Sequence, residues 1–350
     1  MTSRTRLLLR GACWCAGVVA FVVVLRSASP RDALPLFVSV GPWLILALVP
    51  YLAQIGLDAL AWRVLLAALE HKVAWSRLVA VRLSTEAVLM TVPGGSLLGE
   101  SLKPYLLSRT SAVPTADTVA SIGIKRSMLA LAQASYVAIA LALGWQWIAG
   151  ASRAVTGTDW LGALLVTAAA VLAVVAIGLV LAFTHASIAE RVRTLLARLP
   201  WQRLRTALDA RRAGFAAADR AFVAIGTHRR HLAAAFAVLL GAWLVEAAET
   251  WLLCHLLGLD IGPVQALAME ATVVLGRNLA FFLPAGLGVQ DAGYLAFLGA
   301  FGIATPGATA FVLLKHTKEL VWIAIGYVTL FAIDRRGVSA VSLAATGGVR

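Results

Sequence analysis

Long apolar stretches alternate with short polar loops along most of the chain. A helix needs about 20 residues, at about 1.5 Å each, to cross the hydrocarbon core of a bilayer. Stretches of this kind predict full membrane spans at residues 7–25, 36–60, 116–148, 160–183, 232–257 and 308–333. The pattern therefore predicts an all-α polytopic membrane protein with about six full spans.

Two further apolar stretches are each interrupted by a block of small residues. The first block is Pro93-Gly94-Gly95-Ser96-Leu97-Leu98-Gly99-Glu100, and the second is Pro284-Ala285-Gly286-Leu287-Gly288-Val289-Gln290-Asp291. Proline removes a backbone donor and glycine weakens a helix, so both blocks predict helix breaks. Each block places a carboxylate seven positions after its proline, where an ordinary span would carry an apolar residue.

The lengths on either side of each break indicate how deep each segment enters the membrane. In the first broken hairpin, residues 78–107, the flanks are about 15 and 12 residues, which is too short for two crossings. We therefore predict a re-entrant pair of half-helices. In the second, residues 261–301, the flanks are about 21 and 18 residues. Their length leaves both a re-entrant hairpin and a complete two-span hairpin open.

Composition and charge agree with a membrane location. The chain is 61% hydrophobic and only 13% charged, about half the charge of a soluble domain. The net charge of +13 comes from arginines between the apolar stretches, which indicates topology and anionic headgroups and not nucleic acid. The first stretch resembles a signal peptide in layout but lacks a cleavage site, so we predict an uncleaved span.

The positive charges also predict an orientation. They assign both termini, the 62–77 loop and the central linker to the cytoplasm, in the cytoplasmic (inner) membrane of a bacterium. That assignment requires each broken segment to return to its starting side. The two breaks then enter from opposite sides, as inverted repeats do in secondary transporters.

A basic segment divides the chain into two membrane halves. We predict an N-terminal half at residues 1–183, a linker at 184–231 and a C-terminal half at 232–350. The apolar residues of the linker recur at helical spacing among its arginines, which predicts a basic amphipathic helix on the membrane surface. A solvated cytoplasmic linker is the alternative, and the sequence favours neither.

Broken helices leave free backbone donors at membrane depth, and such donors bind anions such as phosphate headgroups. Lys103 lies on the same helix face as Glu100, and the two predict a headgroup clamp; the alternative is an ion pair that only closes the bundle. The predicted substrate-binding residues are Pro93, Gly94, Gly95, Gly99, Glu100, Lys103, Arg277, Asn278, Pro284, Gly286, Gly288, Gln290 and Asp291.

Other ionisable residues in apolar stretches must pair with one another or line a wet cavity. We predict supporting roles for Arg63, Glu86, Glu270, Lys315, Lys318 and Glu319. The sequence contains no recognisable enzyme motif, so we expect a non-enzymatic protein without a metal or cofactor.

Several of these residues resemble a known family. Trp62-Arg63, Pro93-Gly94-Gly95 with Gly99-Glu100, the whole second block and Leu313–Trp322 are similar to the flippase-like transmembrane domain of bacterial lysylphosphatidylglycerol synthases and its stand-alone relatives. The run from Gly288 to Tyr294 is similar to the hopanoid-biosynthesis-associated branch. The resemblance covers roughly residues 36–333.

The resemblance implies movement or binding of a membrane lipid with an anionic or polar headgroup, of the phospholipid, polyprenyl or hopanoid class. We expect a lipid translocase as the main hypothesis. The alternatives are a membrane-embedded transferase and a non-catalytic partner subunit in polyprenyl or hopanoid lipid biosynthesis, which would imply lipid-biosynthetic protein partners.

Overall fold

The computed structural model describes residues 30–92, 95–185, 187–199, 201–279 and 288–346. Within these ranges the chain is helical and contains no strand, which confirms the all-α prediction. The α-helices are α1 (Pro30–Ser39), α2 (Val49–Ala67), α3 (Trp75–Thr91), α4 (Gly95–Thr110), α5 (Thr115–Thr156), α6 (Trp160–His185), α7 (Ile188–Ala197), α8 (Gln202–Ala210), α9 (Arg212–Thr227), α10 (Arg229–Leu256), α11 (Pro263–Leu279), α12 (Val289–Ala300) and α13 (Thr305–Thr346).

Four helical segments have the length and hydropathy of a membrane span. They are Gly41–Ala67, Thr115–Thr156, Trp160–Thr184 and Arg229–Leu256. They correspond to four of the predicted spans, and the protein is a polytopic membrane protein. The predicted span at residues 7–25 lies outside the described residues. The predicted span at 308–333 lies within α13, whose charged residues set it apart from the four apolar helices.

The predicted span at residues 36–60 is not one continuous α-helix. Helix α1 ends at Ser39, and a 3-10 helix, η1 (Gly41–Leu48), precedes α2. Gly41 has a φ of +51°, a left-handed conformation that glycine adopts at little cost. Proline follows Gly41 and recurs at position 50, and each removes a donor that a continuous α-helix would need.

Both predicted breaks separate two helices that pack against each other. Helices α3 and α4 flank the first break, and α11 and α12 flank the second. The 12 residues of α12 span about 18 Å, well short of a hydrocarbon core of about 30 Å. The sequence predicted a longer flank of about 18 residues there, and the choice between a re-entrant and a two-span second hairpin stays a prediction.

The two halves of the chain interlock. Helix α10 of the second half packs along α2 of the first, and α13 packs along α3. Gly326 permits the close packing of α13 on α3, because a Cβ at this position would lie 2.5 Å from the carbonyl oxygen of Leu83. These contacts join the helices of the two halves into one bundle.

The linker, for which the sequence left a surface amphipathic helix and a solvated segment open, forms three helices, α7 to α9. Helix α9 packs on α5 and α6, where Phe222 stacks on Phe183 at 4.3 Å. Asp219 of α9 accepts hydrogen bonds from the first amides of α7, at Ala189 and Glu190. Arg193 bonds to the Glu190 carboxylate and lowers its pKa. The linker is therefore attached to the bundle, and its position on a membrane surface stays a prediction.

Candidate functional site

A polar cavity of about 390 Å³ lies between the two halves. Residues at both breaks line it: Val92 and Glu100 flank the first break, and Asn278 and Gln290 flank the second. The charged residues lining it are Asp58, Arg82, Glu86, Glu100, Lys103, Lys125, Arg126, Glu246, Glu249, Arg277, Lys315, Lys318 and Glu319. The described flanks of the two breaks therefore share one highly charged site.

The first-break side of the cavity is built around Glu100 at the start of α4. Lys103 Nζ donates to Glu100 Oε1 at 2.6 Å, in agreement with their spacing, and Arg126 of α5 bonds to the same oxygen. The second oxygen, Oε2, is buried and accepts no hydrogen bond from any described residue. Glu100 thus keeps one acceptor for a further partner.

A second network joins α2, α3 and α5 on the same side. Lys125 Nζ donates to Asp58 at 2.6 Å, and Arg82 pairs with both Asp58 and Glu86. The hydroxyl of Tyr51 donates to Glu86 at 2.8 Å. These pairs hold charged groups in place along the cavity wall, as intramembrane charges require.

On the second-break side, Arg277 and Lys315 pair with carboxylates on neighbouring helices and not with those described on their own helix. Glu270 and Arg277 lie two helical turns apart on α11, but Arg277 bonds to Glu246 of α10 at 3.0 Å. Glu270 is fully buried behind the wall and accepts hydrogen bonds from Lys315 at 2.9 Å and Tyr294 at 3.0 Å. Helices α10, α11, α12 and α13 are therefore linked by buried polar contacts.

Two contacts between described residues cross from one half to the other within the cavity. Gln54 of α2 donates to Glu246 at 2.9 Å, and the same carboxylate receives Arg277. Lys318 bonds to Glu249 and lies 4.9 Å from the centre of the Tyr51 ring. The cavity is thus a joint product of both halves.

The start of α12 is fixed by a chain of polar contacts. Asp291 Oδ2 accepts the backbone N–H of Gly288 at 2.9 Å, which caps the helix, and Gly288 has a φ of +83°. Asp291 Oδ1 lies 2.9 Å from His316 Nε2, and His316 Nδ1 lies 2.9 Å from Glu319. Asp291 itself lies behind the cavity wall, whereas Glu319 lines it.

An apolar groove of about 220 Å³ borders the charged cavity. It lies between η1 and α13, and Leu44, Ile45, Leu48 and Val321 line it. Lys318 lines both the groove and the cavity. The polar cavity and the apolar groove therefore meet at Lys318.

A sequence profile described as the lysylphosphatidylglycerol synthase TM region matches residues 7–326. The chain belongs to this family. The match includes both breaks and every residue of the cavity. No curated protein matches the chain significantly, and no solved structure does. Membership in the lysylphosphatidylglycerol synthase TM family identifies a lipid-related membrane protein.

Of the 15 predicted site residues that the structure describes in this family member, nine line the cavity. Those that line it are Glu86, Glu100, Lys103, Arg277, Asn278, Gln290, Lys315, Lys318 and Glu319. Pro93, Gly94, Pro284 and Gly286 lie outside the described residues. Gly95 begins α4, and Gly99 is buried where a Cβ would lie 3.1 Å from the carbonyl oxygen of Thr85.

The structure does not bring Arg63 to the site. Arg63 is exposed and does not line the cavity, whereas Asp58 on the same helix does. Five residues turn a helix by about 140°, so Arg63 and Asp58 point in different directions. The prediction of a supporting polar role for Arg63 is therefore not supported.

Sequence reasoning missed several residues of the site. Its substrate-binding and supporting sets omitted Tyr51, Gln54, Asp58, Arg82, Lys125, Arg126, Glu246, Glu249, Tyr294 and His316. The charged members of this set carried a usable signal, because each interrupts an apolar stretch. The two tyrosines and Gln54 carried none, since their partners come from distant parts of the chain. His316 lies three residues before Glu319, but its other partner, Asp291, is 25 residues away.

Proposed function

We propose that the protein binds a membrane lipid with an anionic or polar headgroup and moves it across the bacterial inner membrane, with both termini in the cytoplasm. The role is that of a translocase and not of an enzyme. The observation that carries the proposal is the charged cavity between the two breaks. The lipid belongs to the phospholipid, polyprenyl or hopanoid class.

The charges of the cavity support a headgroup ligand. Cations come from both halves, including Lys103 beside the first break and Arg277 beside the second. Both are buried or partly buried within the bundle, and each is paired with one carboxylate, Lys103 with Glu100 and Arg277 with Glu246. A phosphate that bridges the two cations would gain charge-assisted hydrogen bonds from both halves at once.

Open hydrogen-bonding atoms also support a polar ligand. Glu100 Oε2 is a buried acceptor and Trp243 Nε1 a buried donor, and neither has a hydrogen-bond partner among the described residues. Both side chains line the cavity. A buried polar atom without a partner costs about 1–3 kcal/mol, so a headgroup that carries both donors and acceptors would recover part of that loss.

The apolar groove supports an amphiphile. A lipid places charged and apolar parts next to each other, and Lys318 lies where the charged cavity meets the groove. We assign the groove to an acyl or isoprenoid chain whose headgroup occupies the cavity. The tail then remains in apolar surroundings while the headgroup crosses.

Mass spectrometry of lipids retained by the purified protein tests this proposal. We expect enrichment of one headgroup class over the composition of the source membrane. The double variant Lys103→Met, Arg277→Met should reduce this enrichment about tenfold or more, since each lost charge-assisted bond contributes about 1.5–3 kcal/mol.

The control is the double variant Arg63→Ala, Lys72→Ala, which removes two exposed charges outside the cavity. It should retain the lipid as the unaltered protein does. A lipid composition equal to that of the source membrane would contradict the proposal. Conversion of a retained lipid to a product with an added donor would instead identify a transferase.

A further inference from the structure

His316 lies between two carboxylates inside the bundle. Its Nε2 is 2.9 Å from Asp291 Oδ1, and its Nδ1 is 2.9 Å from Glu319 Oε2. The side chains are 13%, 1% and 13% exposed, respectively. Water therefore has little access to these contacts, and the three groups depend largely on one another.

Proton counting shows what this arrangement requires. A neutral imidazole carries one N–H, so it donates to only one of two ionised carboxylates. The second short contact would then join two acceptors. Both contacts are favourable only when the group of three residues holds one more proton. Imidazole is ordinarily more basic than a carboxylate, so the ring carries that proton.

The nearby carboxylates Glu86 and Glu249 are paired with cations of their own. Charged or titratable groups that face this wall from neighbouring helices are Tyr51, Arg82, Glu86, Glu249, Lys315 and Lys318. Glu86 is paired with Arg82, and Glu249 is paired with Lys318. Asp291 and Glu319 both lie within ion-pair distance of His316.

We propose that Asp291, His316 and Glu319 form a proton-binding site and that one proton binds together with the anionic headgroup of the lipid. The proton site stands on the geometry of these three residues. The link to lipid rests on the proposed function, because it assigns the cavity beside Glu319 to a headgroup.

The transfer of the proton follows from the two contacts. The imidazolium gives the proton on Nδ1 to Glu319 Oε2, which leaves a neutral ring and a carboxylic acid. Glu319 lines the cavity and releases the proton there, so its carboxylate becomes negative again. Nε2–H still donates to Asp291, which continues to cap α12 at Gly288.

Loss of the proton changes the cavity in two ways. The wall gains one negative charge that the ring no longer balances, and Glu319 loses its donor at Nδ1. An anionic headgroup then meets a more negative wall and binds less tightly. By linkage, the headgroup and the proton favour each other's binding by the same factor.

Nuclear magnetic resonance of the full-length protein in nanodiscs, with ¹⁵N-labelled histidine, tests the proton site. The signal that is absent from a His316→Gln variant belongs to His316. We expect both ring nitrogens to be protonated at pH 7. A neutral His316 ring at pH 7 would overturn the proposal.

If the His316→Gln variant does not fold, Asp291→Asn and Glu319→Gln provide the second test. Each removes one carboxylate charge, so the ring signal that shifts between wild type and variant identifies His316. In both variants we expect this ring to lose its proton at a lower pH than in wild type. An unchanged titration in both variants would overturn the proposal.

Vesicles of phosphatidylglycerol and phosphatidylcholine with an imposed pH gradient test the coupling. Above the pH at which the His316 ring loses its proton, movement of phosphatidylglycerol should fall as pH rises, by at most about tenfold per pH unit for a single proton. His316→Gln should abolish this dependence. A rate of phosphatidylglycerol movement that does not change with pH over this range would refute the coupling. Absence of any lipid movement, combined with a protonated His316, would refute the proposed function and leave the proton site intact.

Discussion

Single ionisable side chains determine both the stability and the chemistry of the site. Glu270 and Lys315 illustrate this, because both are almost fully buried and Lys315 donates directly to Glu270. The Tyr294 hydroxyl accepts from Lys315 and donates to Glu270. The sequence identified both as costly residues within apolar stretches, but it did not identify them as partners of each other. Partner choice depends on which helices pack together, and local spacing does not contain that information.

Removing one member of this pair should destabilise the protein strongly. We expect Lys315→Met to cost about 3–5 kcal/mol, because it leaves the Glu270 carboxylate buried without its cation. Thermal unfolding in detergent measures the effect. The double variant Lys315→Met, Glu270→Gln should recover much of the loss, since it leaves no unpaired charge. Equal unfolding temperatures for the wild type and Lys315→Met would contradict this account.

At the scale of elements, the breaks were the most predictable feature. The small-residue blocks predicted helix ends near residues 93 and 284, and α3, α4, α11 and α12 all end or begin beside them. The region around residues 36–60 was less predictable. Its mean hydropathy suits a continuous span, but the proline and glycine positions divide it into α1, η1 and α2. The backbone donors that the prolines lack, and not a change in hydropathy, account for that division.

The contact between α3 and α13 gives a prediction at this scale. Gly326→Ala should destabilise the protein by about 1–3 kcal/mol, because the new Cβ would lie 2.5 Å from a carbonyl oxygen of α3 and force the helices apart. Thermal unfolding in detergent is the measurement.

Gly241→Ala is the matched control within α10. A Cβ at this glycine meets nothing within 4 Å, and alanine is the better helix former. Its unfolding temperature should stay the same or rise. A similar decrease for both variants would show that the close approach at Gly326 has no special role.

At the scale of the whole molecule, the two halves build one cavity. Periodicity and charge predicted the all-α membrane class, the division into halves and the set of polar residues near the breaks. They did not establish that the breaks meet, because this depends on how α10 packs on α2 and how α13 packs on α3. The described flanks of both breaks line the same cavity, so both breaks contribute residues to one site. The inverted orientation of the hairpins stays a prediction from charge.

Lipid movement in reconstituted vesicles, measured for the double variant Glu100→Ala, Asp291→Ala, tests the central claim most directly. Glu100 holds Lys103 and Arg126 at the first break, and Asp291 caps α12 at the second. The account predicts that wild-type protein moves a fluorescent anionic lipid faster than protein-free vesicles do, and that the double variant loses at least about nine-tenths of that rate, a barrier increase of about 1.4 kcal/mol or more. An unchanged rate in a folded double variant would contradict the assignment of this cavity to the lipid headgroup.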